Sequence, residues 1–350
     1  MFDFFKRIIK GNKKLYLIAC RSYAITRIPS KIYEIVRCDR KCISILGYRT
    51  TIRLILCKVS MLFVNTQIRN KINNKKHKII TDFLERNYNL ISIDQNCDKN
   101  LYPDKIWVCW LQGEETAPPL IKVCLDRIRH FSNGHDVVLI TKDNYTNYVD
   151  VPSIFLERVR EGRMYYAHLS DYIRYQLLYK YGGGWLDATL FVNRPIGIMN
   201  EFNYDFYSIR FEVPLDDNCV AKCRWMTPVV FCKPGNSFLY NIYKIFEQYN
   251  LKYDYCIDYL LIDYIMDFLV NSCDSYRKMI NDIPYNNSNF QDLSKVLNFT
   301  FDKDLYDSIM SSDTTYYKLT YKGRALFYKD GKPTFYNYII NHSLINDNTQ

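Results

Sequence analysis

The chain contains neither G-x-G-x-x-G nor G-x-x-x-x-G-K-[ST]. The dinucleotide fingerprint and the P-loop are therefore unavailable for holding a phosphate. Its one glycine run, Gly182-Gly183-Gly184, follows Tyr181 and reads as a turn after a helix. An uninterrupted apolar run is also missing. The most apolar stretch, Ile43 to Val64, contains Arg49, Arg53 and Lys58. A bilayer span tolerates few such charges, so a helix lying on an anionic surface, or packed on the rest of the chain with its basic face outward, fits better. Zinc-finger spacing is absent. Of 12 cysteines, the closest pairs are Cys38 with Cys42 and Cys219 with Cys223, and neither has a second Cys or His pair nearby. Reduced thiols in a cytosol are the expectation. No signal peptide is expected either, because Met1-Phe2-Asp3-Phe4-Phe5 lacks a positive start. No internal repeat stands out.

Acidic residues are scarce at the front. Residues 1–100 hold 21 Lys and Arg against 7 Asp and Glu, a net of +14, while the remainder holds 26 against 30, a net of −4. A basic front on a slightly acidic body suggests an acidic partner, either anionic lipid or nucleic acid. An ordinary helical subdomain with a solvated charged face accounts for the same pattern. Asn70 to Lys78, NKINNKKHK, reads as a linker or a helix end. Composition is otherwise that of a globular protein, 48% hydrophobic and 16% aromatic over 350 residues. We divide it into a basic, mainly helical region over 1–100 and an α/β body over 101–350.

The body alternates strands and helices. Ile106 to Leu111, a helix from Pro118 to about Phe131, and Asp136 to Ile140 form a βαβ unit with a parallel pair. A helix ending at Tyr181 and a strand from Trp185 to Val192 extend it. Later strands are expected over Asp205–Val213 and Pro228–Cys232. Later helices are expected over Asn236–Tyr249 and Ile257–Val270, with a turn at Lys329-Asp330-Gly331-Lys332. Ligands of open α/β sheets bind at the carboxyl ends of the strands. That edge would carry Trp107, Gln112, Gly113 and Asp187.

The central stretch is Ala167 to Thr189, AHLSDYIRYQLLYKYGGGWLDAT. Asp171 and Arg174 project to one helix face, and Leu169, Ile173 and Leu177 line a neighbouring apolar stripe. Asp187 and Thr189 share a side of the following strand by alternation. An acid–arginine pair, a tight turn and a second acid suit a sugar-like ligand charged at one end. A salt-bridged helix beside a strand meets the same pattern, so residue types alone leave both readings open.

The motif S-D-x-x-R followed by L-x-x-Y-G-G-x-W-L-D-x-T resembles the capsular polysaccharide synthesis glycosyltransferases. These are relatives of glycosyltransferase family 32 and of the DXD sugar transferases. IWVCWLQGEE over Ile106–Glu115, H-x-S-D from His168, DYLLIDY over Asp258–Tyr264 and YKLTYK over Tyr317–Lys322 resemble further family segments in the right order. The resemblance implies a GT-A-like (nucleotide-diphospho-sugar transferase) open mixed sheet flanked by helices. It also implies transfer of a sugar from a nucleotide-sugar donor to a glycan or lipid-linked acceptor, with retention of the anomeric configuration.

In that reaction negative charge develops on a nucleoside diphosphate, and catalysis is charge stabilisation plus alignment. By resemblance Mg²⁺ or Mn²⁺ would bridge the phosphates, with Asp187 as the metal-side acid. The family often shows D-x-D, whereas this chain has Asp187-Ala188-Thr189. A threonine hydroxyl is a weaker ligand without charge, so Thr189, His342, Asp258 or Asp263 are the options for a second ligand. Asp171 and Arg174 would bind sugar or ribose, and Lys318 and Lys322 would meet the diphosphate. Trp107 would stack on the base or pack beneath it. Gln112, His168, Ser170, Gly183, Gly184, Asp258 and Asp263 complete the expected substrate-binding set. His168 also reads as a core histidine, Asp258 and Asp263 as helix-end or surface acids, and Cys109 as a buried thiol. The competing functions are a non-enzymatic basic module for anionic polymer or membrane, and a protein-modifying transferase of the toxin type. Nucleic acid is not favoured as partner. The expected location is cytoplasmic, peripheral on the inner membrane face.

Overall fold

The computed structural model describes residues 28–64, 66–92, 104–212, 219–323 and 325–342. Expected helices within residues 1–27, and the division near residue 100, lie outside the described residues. The front region begins with helices α1 (Ile28–Asp39), α2 (Ile43–Leu46), α3 (Tyr48–Ser60) and α4 (Thr66–Asn87). Gly47, at φ +75°, stops α2 and opens α3, so the apolar stretch from Ile43 is broken in two. No described helix is long and apolar enough to cross a membrane. Asn70–Lys78 proves to be neither linker nor end but the middle of α4. Helix α4 is anchored by Ile80, Phe83 and Leu84, which share one core with the body's Tyr249 and Leu269. A polar knot lies beside that core. Lys58 Nζ is 2.9 Å from Asp39 Oδ1 and 3.6 Å from Asp258 Oδ2, and Lys76 Nζ is 3.4 Å from the same Asp258 oxygen. Burial alone would raise the Asp258 pKa, but the two lysines outweigh it and hold it below the ordinary value.

The body carries a mixed sheet flanked by helices. Strand β1 (Lys105–Cys109) leads into α5 (Pro119–His130) and β2 (Asp136–Ile140), and these form the expected parallel βαβ unit. Pro119 opens α5, where a missing N–H costs nothing. Helices α6 (Ser153–Arg160) and α7 (Tyr166–Tyr181) then return the chain to β3 (Gly183–Leu186), parallel to β1. The sheet order is β2-β1-β3-β6-β5, with β5 (Phe206–Ser208) and β6 (Val229–Cys232) joining antiparallel.

Helix α7 is buried on more than its apolar stripe. His168, Arg174 and Gln176 are buried with Leu169, Ile173 and Leu177. Gln176 stays satisfied because its Oε1 accepts from the Asp150 N–H at 2.8 Å. Gly182 caps the helix at φ +65°. Gly183 and Gly184 belong to β3, where space decides. A Cβ on Gly183 would stand 2.2 Å from the Lys105 carbonyl oxygen, and one on Gly184 would stand 2.2 Å from the Phe231 ring.

Three expected elements differ. The strand over Trp185–Val192 is two strands, β3 and β4 (Leu190–Val192), joined by a turn at residues 187–189. The Asp187 N–H donates to Pro228 O, and Leu190 N–H to Asp187 O, which closes that turn. Strand β4 leaves the main sheet and pairs antiparallel with β7 (Tyr316–Lys318). The strand over Asp205–Val213 is only Phe206–Ser208 among the described residues. Beyond Ser208 the Phe211 N–H donates to Cys223 O, which is outside the sheet ladder. The helix expected from Ile257 starts at Leu261, because residues 258–261 form a turn in which Asp258 accepts from Leu260 N–H on Oδ1 and from Leu261 N–H on its carbonyl.

The remaining helices are α8 (Ser237–Lys252), α9 (Leu261–Ser272), α10 (Asp274–Asn281), α11 (Asp292–Val296), α12 (Lys303–Met310) and α13 (Phe335–His342). The turn expected near Lys329 is a hairpin of β8 (Tyr328–Lys329) and β9 (Lys332–Pro333), with Asp330 and Gly331 at φ +52° and +75°.

Candidate active site

A cleft of about 620 Å³ opens at the carboxyl edge of β1 and β3. Its size is in the range of small-molecule sites. Four segments supply its walls. Cys109 and Trp110 come from the end of β1; Ser170, Asp171 and Arg174 from α7; Trp185 and Asp187 to Thr189 from the turn after β3; Lys318 to Lys322 from the end of β7 and the loop beyond it. Tyr259 and Asp263 at the start of α9, and Lys295 on α11, close the rim.

Asp187 is the hub. Its Oδ1 accepts from Arg174 Nη2 at 3.1 Å and from Trp185 Nε1 at 3.0 Å. Its Oδ2 accepts from Lys318 Nζ at 2.6 Å. The same ammonium reaches Thr189 Oγ1 at 2.5 Å. Burial opposes the charge on Asp187, but Lys318 and Arg174 outweigh it and hold the pKa at about 2. Arg174 also lies 3.4 Å from Asp171 Oδ1 through Nη1, and its guanidinium sits 4.8 Å above the Trp185 ring. Burial, opposed by Arg174, pushes Asp171 up to about 6. Asp263 accepts from Trp225 Nε1 at 2.9 Å and is likewise pushed up to about 6 by burial. Three donors on residues that line the cleft, Arg174 Nε and Nη1 and Trp110 Nε1, are buried without a hydrogen-bond partner among the described residues. Such orphans are costly unless a ligand takes them up.

The structure therefore brings together Ser170, Asp171, Arg174, Asp187, Thr189, Asp263, Lys318 and Lys322. The rest of the expected set lies elsewhere. Trp107 is fully buried, donates from Nε1 to Gly182 O at 2.9 Å, and packs on Tyr148 and Tyr181. It neither stacks on nor underlies a base in this cleft. Gln112 is exposed and its carbonyl accepts from Thr116. His168 is buried, which lowers its pKa, and its Nε2 donates to the Tyr259 carbonyl at 2.9 Å. Its task is holding the loop that presents Tyr259. Gly183 and Gly184 are packed inside β3. Asp258 faces Lys58 and Lys76. His342 ends α13, exposed and stacked on Tyr338. Cys109, expected as a buried thiol, is half-buried and lines the cleft, though desolvation still pushes its thiol up to about 12.

Residues that the sequence reading missed are mainly aromatic. Trp110 and Tyr321 meet edge to face at 5.2 Å on one wall, and Tyr259 stands on another. Trp110 lies just past the end of β1, and the carboxyl-edge rule that wrongly selected Trp107 would have found it. Tyr321 sits between Lys318 and Lys322 in the YKLTYK segment.

Among the described residues no three His, Cys, Asp or Glu side chains gather to hold a metal. Mg²⁺ and Mn²⁺ ask for about six oxygen ligands. Here the two best-placed oxygens, Asp187 Oδ2 and Thr189 Oγ1, are both taken by the Lys318 ammonium. The donor set does not fit a divalent cation held by this pair.

With the geometry in place, comparison with known proteins gives three findings. A 108-residue segment is similar to O-glycosyltransferase braB of Annulohypoxylon truncatum at 29% identity, covering 28% of this chain and 24% of that protein. The match thus spans about a quarter of the relative's length. The solved PaToxG glycosyltransferase is similar at 14% identity and a TM-score of 0.35, over 61% of this chain and 84% of that one. The sequence profile of the capsular polysaccharide synthesis proteins matches residues 60–339, which takes in α4, the sheet and every wall of the cleft. The chain belongs to the capsular polysaccharide synthesis protein family.

Proposed function

We propose that this protein is a glycosyltransferase that moves a sugar from a nucleotide-sugar donor to a glycan or lipid-linked hydroxyl in capsular or surface polysaccharide synthesis. The observation that carries the reading is the cluster of Arg174, Lys318, Asp171 and Asp187 in one cleft at the sheet's carboxyl edge. Family membership and the similarity to a named O-glycosyltransferase support it. The parallel β3-β1-β2 core, with β6 antiparallel to β3 and β5 antiparallel to β6, is compatible with a GT-A-like sheet.

The sugar's C1–O bond breaks, and its electron pair leaves on the β-phosphate oxygen. The acceptor oxygen bonds to C1 and gives its proton to the departing diphosphate. Lys318 and Lys322 face the growing negative charge, and Arg174 supplies fixed donors to diphosphate or ribose. Asp187 keeps the heads of Lys318 and Arg174 in place. Asp171 accepts from sugar or ribose hydroxyls. Trp110, Tyr259 and Tyr321 offer ring surface to the sugar or the base. Retention of the anomeric configuration belongs to this reading and is read from the anomeric proton of the product by NMR.

The test is release of nucleoside diphosphate from a panel of UDP- and GDP-sugars, with and without acceptor. We expect release by the wild type and a loss of about 10²- to 10³-fold in Arg174→Ala. Folded wild-type protein that leaves every donor intact, yet is retained on anionic polymer with a steep salt slope, would establish the non-enzymatic module instead. Transfer to a protein hydroxyl in preference to glycan or lipid would establish the protein-modifying reading.

The front region goes with an acceptor at an anionic membrane surface. Ile43, Tyr48 and Ile52 are exposed beside the exposed Arg49 and Arg53. Each such charge contributes about 1 kcal/mol near an anionic leaflet. Arg49→Glu with Arg53→Glu should therefore weaken sedimentation with phosphatidylserine vesicles. Equal binding to neutral and anionic vesicles would remove the membrane from the reading.

A further inference from the structure

Resting on the transferase reading, we propose that the Lys318 ammonium is the cation that receives the departing nucleoside diphosphate, so that this cleft works without a divalent metal. The placement is architectural. Lys318 pairs with Leu190 in the β4–β7 ladder, and the Leu319 N–H donates to the Thr189 carbonyl. Two backbone bridges thus fix the lysine opposite the turn that holds Asp187 and Thr189. Its head lies 2.6 Å from Asp187 Oδ2 and 2.5 Å from Thr189 Oγ1, between the two side chains of a D-x-T motif.

The threonine fits this arrangement. A hydroxyl accepts from an ammonium without adding charge. A second carboxylate at position 189 would leave two negative charges on one lysine and invite a divalent ion. With Thr189, Asp187 is shared between Lys318 and Arg174 and Asp171 is the only other acid on Arg174, so this cluster stands at balance, where a carboxylate at 189 would leave it negative. Lys322 and Lys295, on the same cleft, add the surplus positive charge that a nucleoside diphosphate anion would match. A lysine is a suitable point charge for phosphate oxygens, and its three protons let it hold Asp187 and Thr189 while meeting a phosphate oxygen.

Chemistry balances without a further reactant. C1–O(phosphate) cleavage leaves the electron pair on a β-phosphate oxygen beside Lys318. The acceptor's proton ends on that diphosphate, and the lysine stays protonated throughout.

The experiment is calorimetric titration of the full chain with UDP, GDP, ADP and CDP in excess EDTA and again in Mn²⁺, with donor cleavage followed in parallel. We expect the wild type to bind one of these in EDTA within about threefold of its affinity in Mn²⁺, and to cleave the matching sugar donor in both. Lys318→Met should weaken binding about tenfold to hundredfold, the scale of one charge-assisted contact, and Mn²⁺ should not restore it. Lys318→Arg should keep part of the affinity. Wild-type binding or cleavage that disappears in EDTA and returns with Mn²⁺ overturns the inference and leaves the transferase reading standing. That arm needs no variant to fold. Folded wild type that neither binds any of the four nor cleaves any donor under either condition removes the transferase reading, and the inference with it.

Discussion

Replacing Asp187 by Asn removes a charge while keeping the shape, and the consequence can be worked from the geometry. The carboxylate accepts three hydrogen bonds, from Arg174, Trp185 and Lys318, and its side chain is about a quarter exposed. Its pKa falls from an ordinary 3.8 to about 2. At 1.36 kcal/mol per unit, the charged form contributes about 2.5 kcal/mol to the folded state at neutral pH. For 350 residues, an unfolding entropy of about 2.1 cal/mol/K per residue turns this into a Tm drop of about 3 °C. Linkage sets the sign. The folded pKa is depressed, so the stabilisation is complete above pH ~4 and fades as pH falls towards about 2. At pH 3 the difference between wild type and variant should be about half its neutral value. Thermal unfolding followed by intrinsic fluorescence from pH 7 to pH 3 reads this out. A double-mutant cycle with Lys318→Met should return a coupling of about 1–2 kcal/mol. A Tm difference under about 1 °C at pH 7, or one that stays constant down to pH 3, would refute the reasoning. Zero coupling would place the lysine elsewhere.

Three further outcomes are expected. Gly183→Ala should cost more than about 3 kcal/mol in urea unfolding, because the new Cβ meets the Lys105 carbonyl oxygen at φ +92°; a cost under 1 kcal/mol would mean that β1 and β3 can part. Asp258→Asn keeps an acceptor for the Leu260 N–H but leaves Lys58 and Lys76 without their shared acid. It should destabilise by about 2–4 kcal/mol and open residues 28–87 to limited proteolysis, whereas unchanged protection would show that apolar packing alone holds those helices. Burial above all raises Asp171 to about 6, so a bound diphosphate anion should raise it further. Calorimetry near pH 6.5 in two buffers of different ionisation enthalpy should show more proton uptake by wild type than by Asp171→Asn, and equal uptake would remove Asp171 from the diphosphate's surroundings.

The parts of the site that sequence reading located are those carried by a single element. Asp171 and Arg174 sit three apart on one helix, and that spacing alone puts them on one face. The βαβ unit and the glycine stop after Tyr181 come from hydrophobic runs and a residue that tolerates positive φ. Contacts between distant segments were not legible. WLDATLFV reads as one strand because every residue in it suits a buried strand, and the turn at 187–189 is anchored in part from afar, by Pro228 accepting the Asp187 N–H. Lys318 was expected near the phosphates, yet its grip on Asp187 and Thr189 depends on a ladder between segments over 120 residues apart. Trp107 and Trp110 are the same residue type three positions apart, and only strand length separates the buried ring from the cleft wall. The lysines of α4 look like a solvated face in sequence, but Lys76 is buried against an acid 182 residues away.

The β4–β7 pairing also sets when the cleft is complete. Asp187 and Lys318 are 131 residues apart. At about 5–20 residues per second, a ribosome needs roughly 7–26 s to pass from one to the other. During that interval the acid has only Arg174 and Trp185 beside it. Closing so long a loop also makes this among the slower steps of folding. Synthesis thus delivers the scaffold first and the Lys318 ammonium late. If Lys318 receives the diphosphate as proposed, nascent chains arrested before residue 316 should hold no nucleoside diphosphate.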